Sequence, residues 1–204
     1  AETIRQLESF GFLPGHLVAE PVSRNTALII GLMAKIISED DPDSVMAVFP
    51  ADHVITKTKN FTKVIQKAES MAKNGYLVAL GIPPLRPETG FGYIKQGLKT
   101  KEDKNVFQVE SFVEKPDLST AKEYIKNGNY FWNCGVFIWK TSVILEEIKQ
   151  HAEHIYFQLE NLKKCLKKSE KKLNYFQFNK KGSEIFSALP SLSIDFAVME
   201  KSSK

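Results

Sequence analysis

Two short apolar runs, Ser44–Phe49 and Tyr76–Ile82, flank a stretch whose apolar residues recur at helical spacing. Each run is too short for a buried helix and lacks the polar alternation of a half-exposed strand, so both read as strands covered on two faces. Between them Phe61, Val64, Ile65, Ala68, Met71 and Ala72 share one helical face, and the pattern closes at Gly75, a plausible glycine stop. Thr26 to Glu39 repeats the helical pattern with Leu28, Ile29, Leu32, Met33, Ile36 and Ile37, and Leu17–Ala19 predicts a short strand before it. Strand, helix, strand, helix, strand implies right-handed βαβ crossovers. The expected fold is α/β, with a mixed, mostly parallel sheet and helices on both faces.

Further on the pattern changes. Val106 to Glu114 alternates Phe107, Val109 and Val113 with polar residues, as a half-exposed strand does. Asp117 to Asn127 reads as a short helix stopped at Gly128, Cys134 to Trp139 as a further strand, and Ser142 to about Lys149 as a further helix. There are no internal repeats and no linker long enough to separate domains, so residues 1–204 are expected to form a single domain.

Composition narrows the function classes. An apolar share of 43% over 204 residues supports one sizeable core and argues against extensive disorder. No stretch approaches the roughly 20 uninterrupted apolar residues of a membrane span, so no membrane association is expected and the cytoplasm is the expected location. Cys134 and Cys165 share no close-spaced motif with each other or with the four histidines, which argues against a zinc site or a disulfide scaffold. The net charge of +4 is uneven: residues 161–181 hold eight lysines and one acid, leaving −3 elsewhere. Leu159, Leu162, Cys165, Leu166 and Leu173 recur there at about helical spacing, which predicts a solvated lysine face on a helix and no nucleic-acid partner.

In open α/β sheets ligands sit outside the carboxyl ends of the strands. The loops that follow the apolar runs are distinctive: Phe49-Pro50-Ala51-Asp52-His53; the stretch from Gly81 through Pro87-Glu88-Thr89-Gly90-Phe91-Gly92-Tyr93-Ile94; Phe112-Val113-Glu114-Lys115-Pro116; Trp132-Asn133-Cys134-Gly135; and Ser193-Ile194-Asp195-Phe196-Ala197-Val198-Met199-Glu200-Lys201. With Glu20-Pro21-Val22-Ser23-Arg24-Asn25-Thr26-Ala27 upstream, these phrases run in order from about Leu17 to Lys201 and closely resemble the mannose-1-phosphate guanylyltransferase family. The resemblance implies a Rossmann-like nucleotidyltransferase fold. It also implies transfer of GMP from GTP to mannose 1-phosphate, giving GDP-mannose and pyrophosphate, with both substrates as binding partners.

The residues can be weighed against that chemistry. Phosphoryl-group transfer asks for positioning and charge neutralisation, and Mg²⁺ is typically held by one or two carboxylates with phosphates and waters in its other positions. Asp52, at a strand end, and Asp195, between Ile194 and Phe196, suit that role, and the resemblance maps both onto the family's metal-binding aspartates. On propensity alone, Asp52 capping a turn and Asp195 capping a helix are competing readings. The resemblance further implies that Glu114 accepts from sugar hydroxyls and that Lys115 contacts the sugar phosphate, making Asp52, Lys115 and Asp195 the catalytic set. Gly92 would leave room for the sugar, and Asn133 would offer a donor and an acceptor to hydroxyls or, alternatively, shape a turn. Glu20 can accept from both N1–H and N2–H₂ of guanine, whereas uracil would set carbonyls against a carboxylate. Asn25 and Thr26 would serve the base or ribose, or cap the following helix.

The family's domain begins with a strand and a glycine-rich loop that wraps the triphosphate. No such loop occurs here, and Ala1 to Phe10 reads as a short helix closed by Gly11. The expectation is therefore an N-terminally incomplete domain whose first strand and phosphate loop are missing. Two alternatives stay open: a catalytically incompetent fragment that only binds nucleotide or sugar phosphate, and a related transferase with another base or sugar. Oligomeric state is not legible, a homo-oligomer included.

Overall fold

The computed structural model describes Gln6 and residues 17–100, 105–169 and 175–204. The helix expected over residues 1–10 lies outside these, apart from Gln6. The elements in order are β1 (Val18–Ala19), α1 (Ala27–Asp40), β2 (Val45–Val48), α2 (Thr58–Lys73), β3 (Val78–Ile82), β4 (Tyr93–Lys99), β5 (Phe107–Val113), α3 (Leu118–Asn127), β6 (Tyr130–Lys140), α4 (Thr141–His151), α5 (Glu153–Lys164), β7 (Leu166–Lys168), β8 (Phe176–Phe178) and α6 (Lys180–Ala188), then a π-helical turn, Asp195–Met199.

The α/β class and the helices on both faces are as expected. β6, 11 residues long, is the central strand. It pairs antiparallel with β2, β3 and β4, and β4 pairs antiparallel with β5. β2 and β3 therefore run in the same direction, as a crossover through α2 requires, yet β6 lies between them. The expectation of a mostly parallel sheet is corrected in that respect: among the described residues the one parallel pairing is β1 with β8, in a separate small sheet with β7. An apolar run covered on both faces reports burial but not the direction of its neighbour, so the pattern could not show the inserted strand.

Alternation along β6 divides the core. Val136 and Ile138 face Ala68 and Ala72 of α2. Phe137 and Trp139 point the other way, into the larger cluster with Leu28 and Leu32 of α1, Ile144 and Ile148 of α4, and Ile155, Leu159 and Leu162 of α5. Leu28, Leu32, Ile144, Ile148, Ile155, Leu159 and Leu162 are almost wholly buried, and each such burial stabilises by roughly 1.5–3 kcal/mol. The half-exposed Lys35–Glu160 pair nearby contributes at most about 1 kcal/mol, so apolar packing holds these helices together.

α3 is bounded as its sequence suggests. The Asp117 carboxylate accepts from the Thr120 backbone N–H at 2.8 Å, and Gly128 closes the helix at φ +73°. The helix expected through Leu173 instead ends at Lys164, and Leu166–Lys168 forms β7. Lys167 and Lys168 thus project from a strand, while Lys163 and Lys164 pair with Glu160 on α5. Among the described residues, no helix is long and apolar enough to cross a membrane.

Candidate active site

Strand register assembles the centre of the site. Tyr93 is paired with both Val113 of β5 and Trp132 of β6. One residue before β4, Gly92 lies between Glu114 and Asn133, and the Asn133 N–H donates to the Gly92 carbonyl at 2.8 Å. A Cβ on Gly92 would strike Glu114 Oε2 closer than real Cβ atoms approach any neighbour. The space that Gly92 leaves, expected for the sugar, is occupied by the Glu114 carboxylate.

Adjacent residues on an extended strand point to opposite sides, so Glu114 and Lys115 can cooperate only if the strand ends between them. β5 does end at Val113, and Lys115 takes φ +49°, a left-handed conformation rare outside glycine. The corner brings Lys115 Nζ to 2.6 Å from Glu114 Oε1. The Glu114 side chain is nearly buried while the lysine remains exposed, so the ammonium faces solvent from a fixed base. The Glu114 carboxylate raises the Lys115 pKa, outweighing the opposing effect of burial. A conformation of this kind costs on the order of 1–3 kcal/mol and persists where its surroundings hold it.

Asp195 opens the π-helical turn. Its Oδ1 accepts from Asn133 Nδ2 at 2.8 Å, and Asn133 Oδ1 accepts from the Gly135 N–H at 3.0 Å. Asn133 thus braces the irregularity of β6 at Gly135, where φ is +70°, and also grips Asp195, leaving one amide hydrogen and one lone pair for a ligand. Capping near Asp195 is taken over by the Ser193 hydroxyl, which accepts from the Phe196 N–H. Burial, reinforced by the charge of Glu114, pushes the Asp195 carboxyl above the usual carboxylate range despite the hydrogen bonds from Asn133 and Ser193. The site holds more negative charge than Lys115 offsets.

The remaining expected residues lie on the loop after β2 and on the segment between β1 and α1. Asp52 is exposed in the turn after β2, and Pro50 of the same loop would be 3.2 Å from a Cβ on Gly135. The loop that carries Asp52 thus packs against Gly135, two residues beyond Asn133. Thr26 shows no side-chain cap on α1. Its Oγ1 instead accepts from the Ile194 N–H at 2.9 Å, and the Ala27 N–H donates to the Leu192 carbonyl at 3.0 Å. The start of α1 is thereby bound to the segment that delivers Asp195. Asn25 adopts φ +61° and accepts from the Thr26 N–H at 3.1 Å. Glu20 follows β1 in the small sheet, and partial burial raises its pKa.

Two contributions were not read from the sequence. Tyr93 is fully buried, and its hydroxyl accepts from the Glu88 N–H at 2.9 Å; Phe91 meets Trp132 edge to face at 5.4 Å and Arg86 lies over the same ring. The loop before Gly92 is therefore ordered by aromatic contacts. The second is Glu200, whose carboxylate accepts from the Glu114 N–H at 3.0 Å. It lies inside a recognised phrase, but nothing in ordinary helical spacing sets it beside Asp195.

An α/β sheet with carboxylates, a lysine and an asparagine converging at strand ends has the layout of a ligand site in this class of fold. Residues 1–182 match the family described as Nucleotidyl transferase, and the chain belongs to that family. Within it, the chain is 40% identical over 202 residues to the mannose-1-phosphate guanylyltransferase RfbM of Salmonella typhimurium, covering 98% of this chain and 40% of that protein. It is 38% identical over 205 residues to the mannose-1-phosphate guanylyltransferase of Escherichia coli K12, covering 98% and 41%. Among solved structures it superposes at TM-score 0.79 and 32% identity on one described as mannose-6-phosphate isomerase from Helicobacter pylori, covering 91% of this chain and 68% of that one. A second, described as mannose-1-phosphate geranyltransferase from Thermus thermophilus, gives TM-score 0.71 and 33% identity, covering 89% and 49%. The chain spans about 40% of the length of the two guanylyltransferases named above.

Proposed function

We propose that this chain supplies the site at which GMP passes from GTP to mannose 1-phosphate, forming GDP-mannose and releasing pyrophosphate. The observation that carries this reading is the convergence of Gly92, Glu114, Lys115, Asn133 and Asp195 across three adjacent strands and the π-helical turn. Glu114 presents a carboxylate to sugar hydroxyls, and Lys115, held against Glu114, presents a point charge to the sugar phosphate. Asn133 fixes the orientation of Asp195 and retains hydrogen-bonding capacity for a hydroxyl. Glu20, with Asn25 and Thr26 nearby in sequence, is assigned to the base and ribose, its carboxylate accepting from the N1–H and N2–H₂ edge of guanine.

Asp52 and Asp195 are the residues assigned to a Mg²⁺ ion. The donor chemistry fits: Asp195 is a carboxylate whose ionised form is disfavoured by burial and by Glu114, so a cation would relieve an existing imbalance. Among the described residues there is no group of three or more histidine, cysteine or acidic side chains arranged to hold a metal, and Mg²⁺ requires only one or two carboxylates when phosphates complete its shell. When bound, the ion supplies charge neutralisation for the phosphates. The reaction is assigned to the cytoplasm, a reading supported by its soluble, highly charged substrates.

The test is to incubate the purified protein with GTP, mannose 1-phosphate and Mg²⁺ and to follow GDP-mannose and pyrophosphate. Formation of both in equal amounts supports the proposal. Turnover confined to another nucleotide or another sugar phosphate overturns it, and none at all favours the alternative in which the chain only binds nucleotide or sugar phosphate.

A further inference from the structure

The π-helical turn links the two walls of the site. The Glu200 N–H donates to the Asp195 carbonyl at 3.0 Å, five residues back, which closes the turn. From this single turn the Asp195 carboxylate reaches Asn133 on β6 and the Glu200 carboxylate reaches the Glu114 N–H beyond the end of β5. Within the Glu114–Lys115–Pro116 corner, Pro116 has no N–H to donate and Lys115 sits in the left-handed region.

We infer that Glu200 is a positioning residue that holds the Glu114–Lys115 corner in register with Asp195. The inference rests on the functional reading above, in which Lys115 meets the sugar phosphate. Glu200 is solvent-exposed, so its role is not core packing. A carboxylate accepting a backbone N–H forms a charge-assisted hydrogen bond, stronger than a neutral one. Its loss would let the corner relax toward an ordinary backbone conformation and carry Lys115 Nζ away from its place beside Glu114.

Comparison of Glu200→Ala with Glu200→Gln tests this, because the glutamine carbonyl can still accept from Glu114. Expected for Glu200→Ala is a KM for mannose 1-phosphate raised about tenfold or more, with KM for GTP unchanged and with Glu200→Gln restoring most of the difference. A merely structural loss would lower kcat at constant KM, and that outcome overturns the inference. Amide hydrogen exchange supplies a readout independent of turnover: exchange at Glu114 should quicken at least about tenfold in Glu200→Ala and stay slow in Glu200→Gln. Unchanged exchange at Glu114 in the alanine variant overturns the inference even if the protein forms no GDP-mannose, a result that would count separately against the functional reading.

Discussion

Asn133 Nδ2 donates to Asp195 Oδ1 across 62 positions of sequence at 2.8 Å. The bond joins the central strand to the π-helical turn and fixes the direction in which the Asp195 carboxylate faces. It does not compensate fully for burying that carboxylate next to Glu114, whose charge and the surrounding desolvation keep its pKa raised. The site therefore holds a carboxylate whose ionised form is disfavoured, and such perturbed groups cluster at functional sites.

Replacement of Asp195 by Asn should separate activity from stability. The amide oxygen can still accept from Asn133, and the charge opposed by Glu114 is gone, so Tm at neutral pH should be unchanged or higher. Turnover should fall at least about 100-fold, as for loss of a preorganised charged group. Thermal denaturation and initial rates measured on one preparation check both; a destabilised variant would show that the carboxylate is structurally needed.

Gly92→Ala should impair sugar-phosphate binding more than folding. The added methyl meets Glu114 Oε2, the far end of a flexible side chain, so the backbone can remain in place while the carboxylate moves. KM for mannose 1-phosphate should rise about tenfold with Tm lowered by only a few degrees. Loss of cooperative folding would instead mean that the Glu114 carboxylate cannot move aside.

Glu20→Gln bears on base choice. A carboxylate can accept from both guanine N–H groups, whereas an amide accepts with one atom and sets an N–H₂ against the other. kcat/KM for GTP should fall about tenfold or more, with a smaller change for UTP, narrowing the preference. An unaltered GTP-to-UTP ratio would remove Glu20 from the base site.

The pH dependence of α3 is set by Asp117. Backbone N–H groups at the helix start hold its pKa down at about 2. A depressed folded-state value means that its contribution is complete above the ordinary carboxylate range near 3.9 and is lost as pH falls through the folded value. Asp117→Ala should lower Tm by roughly 2–4 °C at pH 7, and the difference from the parent should shrink from about pH 4 toward pH 2. A difference constant across that range would exclude the cap as its source.

Much of the fold was legible because it is local. The apolar periods of α1 and α2, the Asp117 and Gly128 boundaries of α3, and the runs that became β2 and β3 all express rules acting over a few residues. The helix expected past Lys164 failed for a related reason: Leu166 fits a helical period, but pairing of Leu166–Lys168 with Phe176–Phe178 outweighs it.

The amino-acid sequence by itself determined the types of the strongly periodic elements, such as α1, α2 and α3, and the order of the site-bearing loops. Tertiary structure alone decided that β6 lies between β2 and β3, that register brings Gly92 between Glu114 and Asn133, and that Glu114 and Lys115 share a side. It alone set Glu200 against Glu114, because residues five apart lie roughly 140° apart on an α-helix and are brought to a shared task here by a π-helical turn. Strand register and irregular backbone arise from contacts distant in sequence, where side-chain periodicity carries no information.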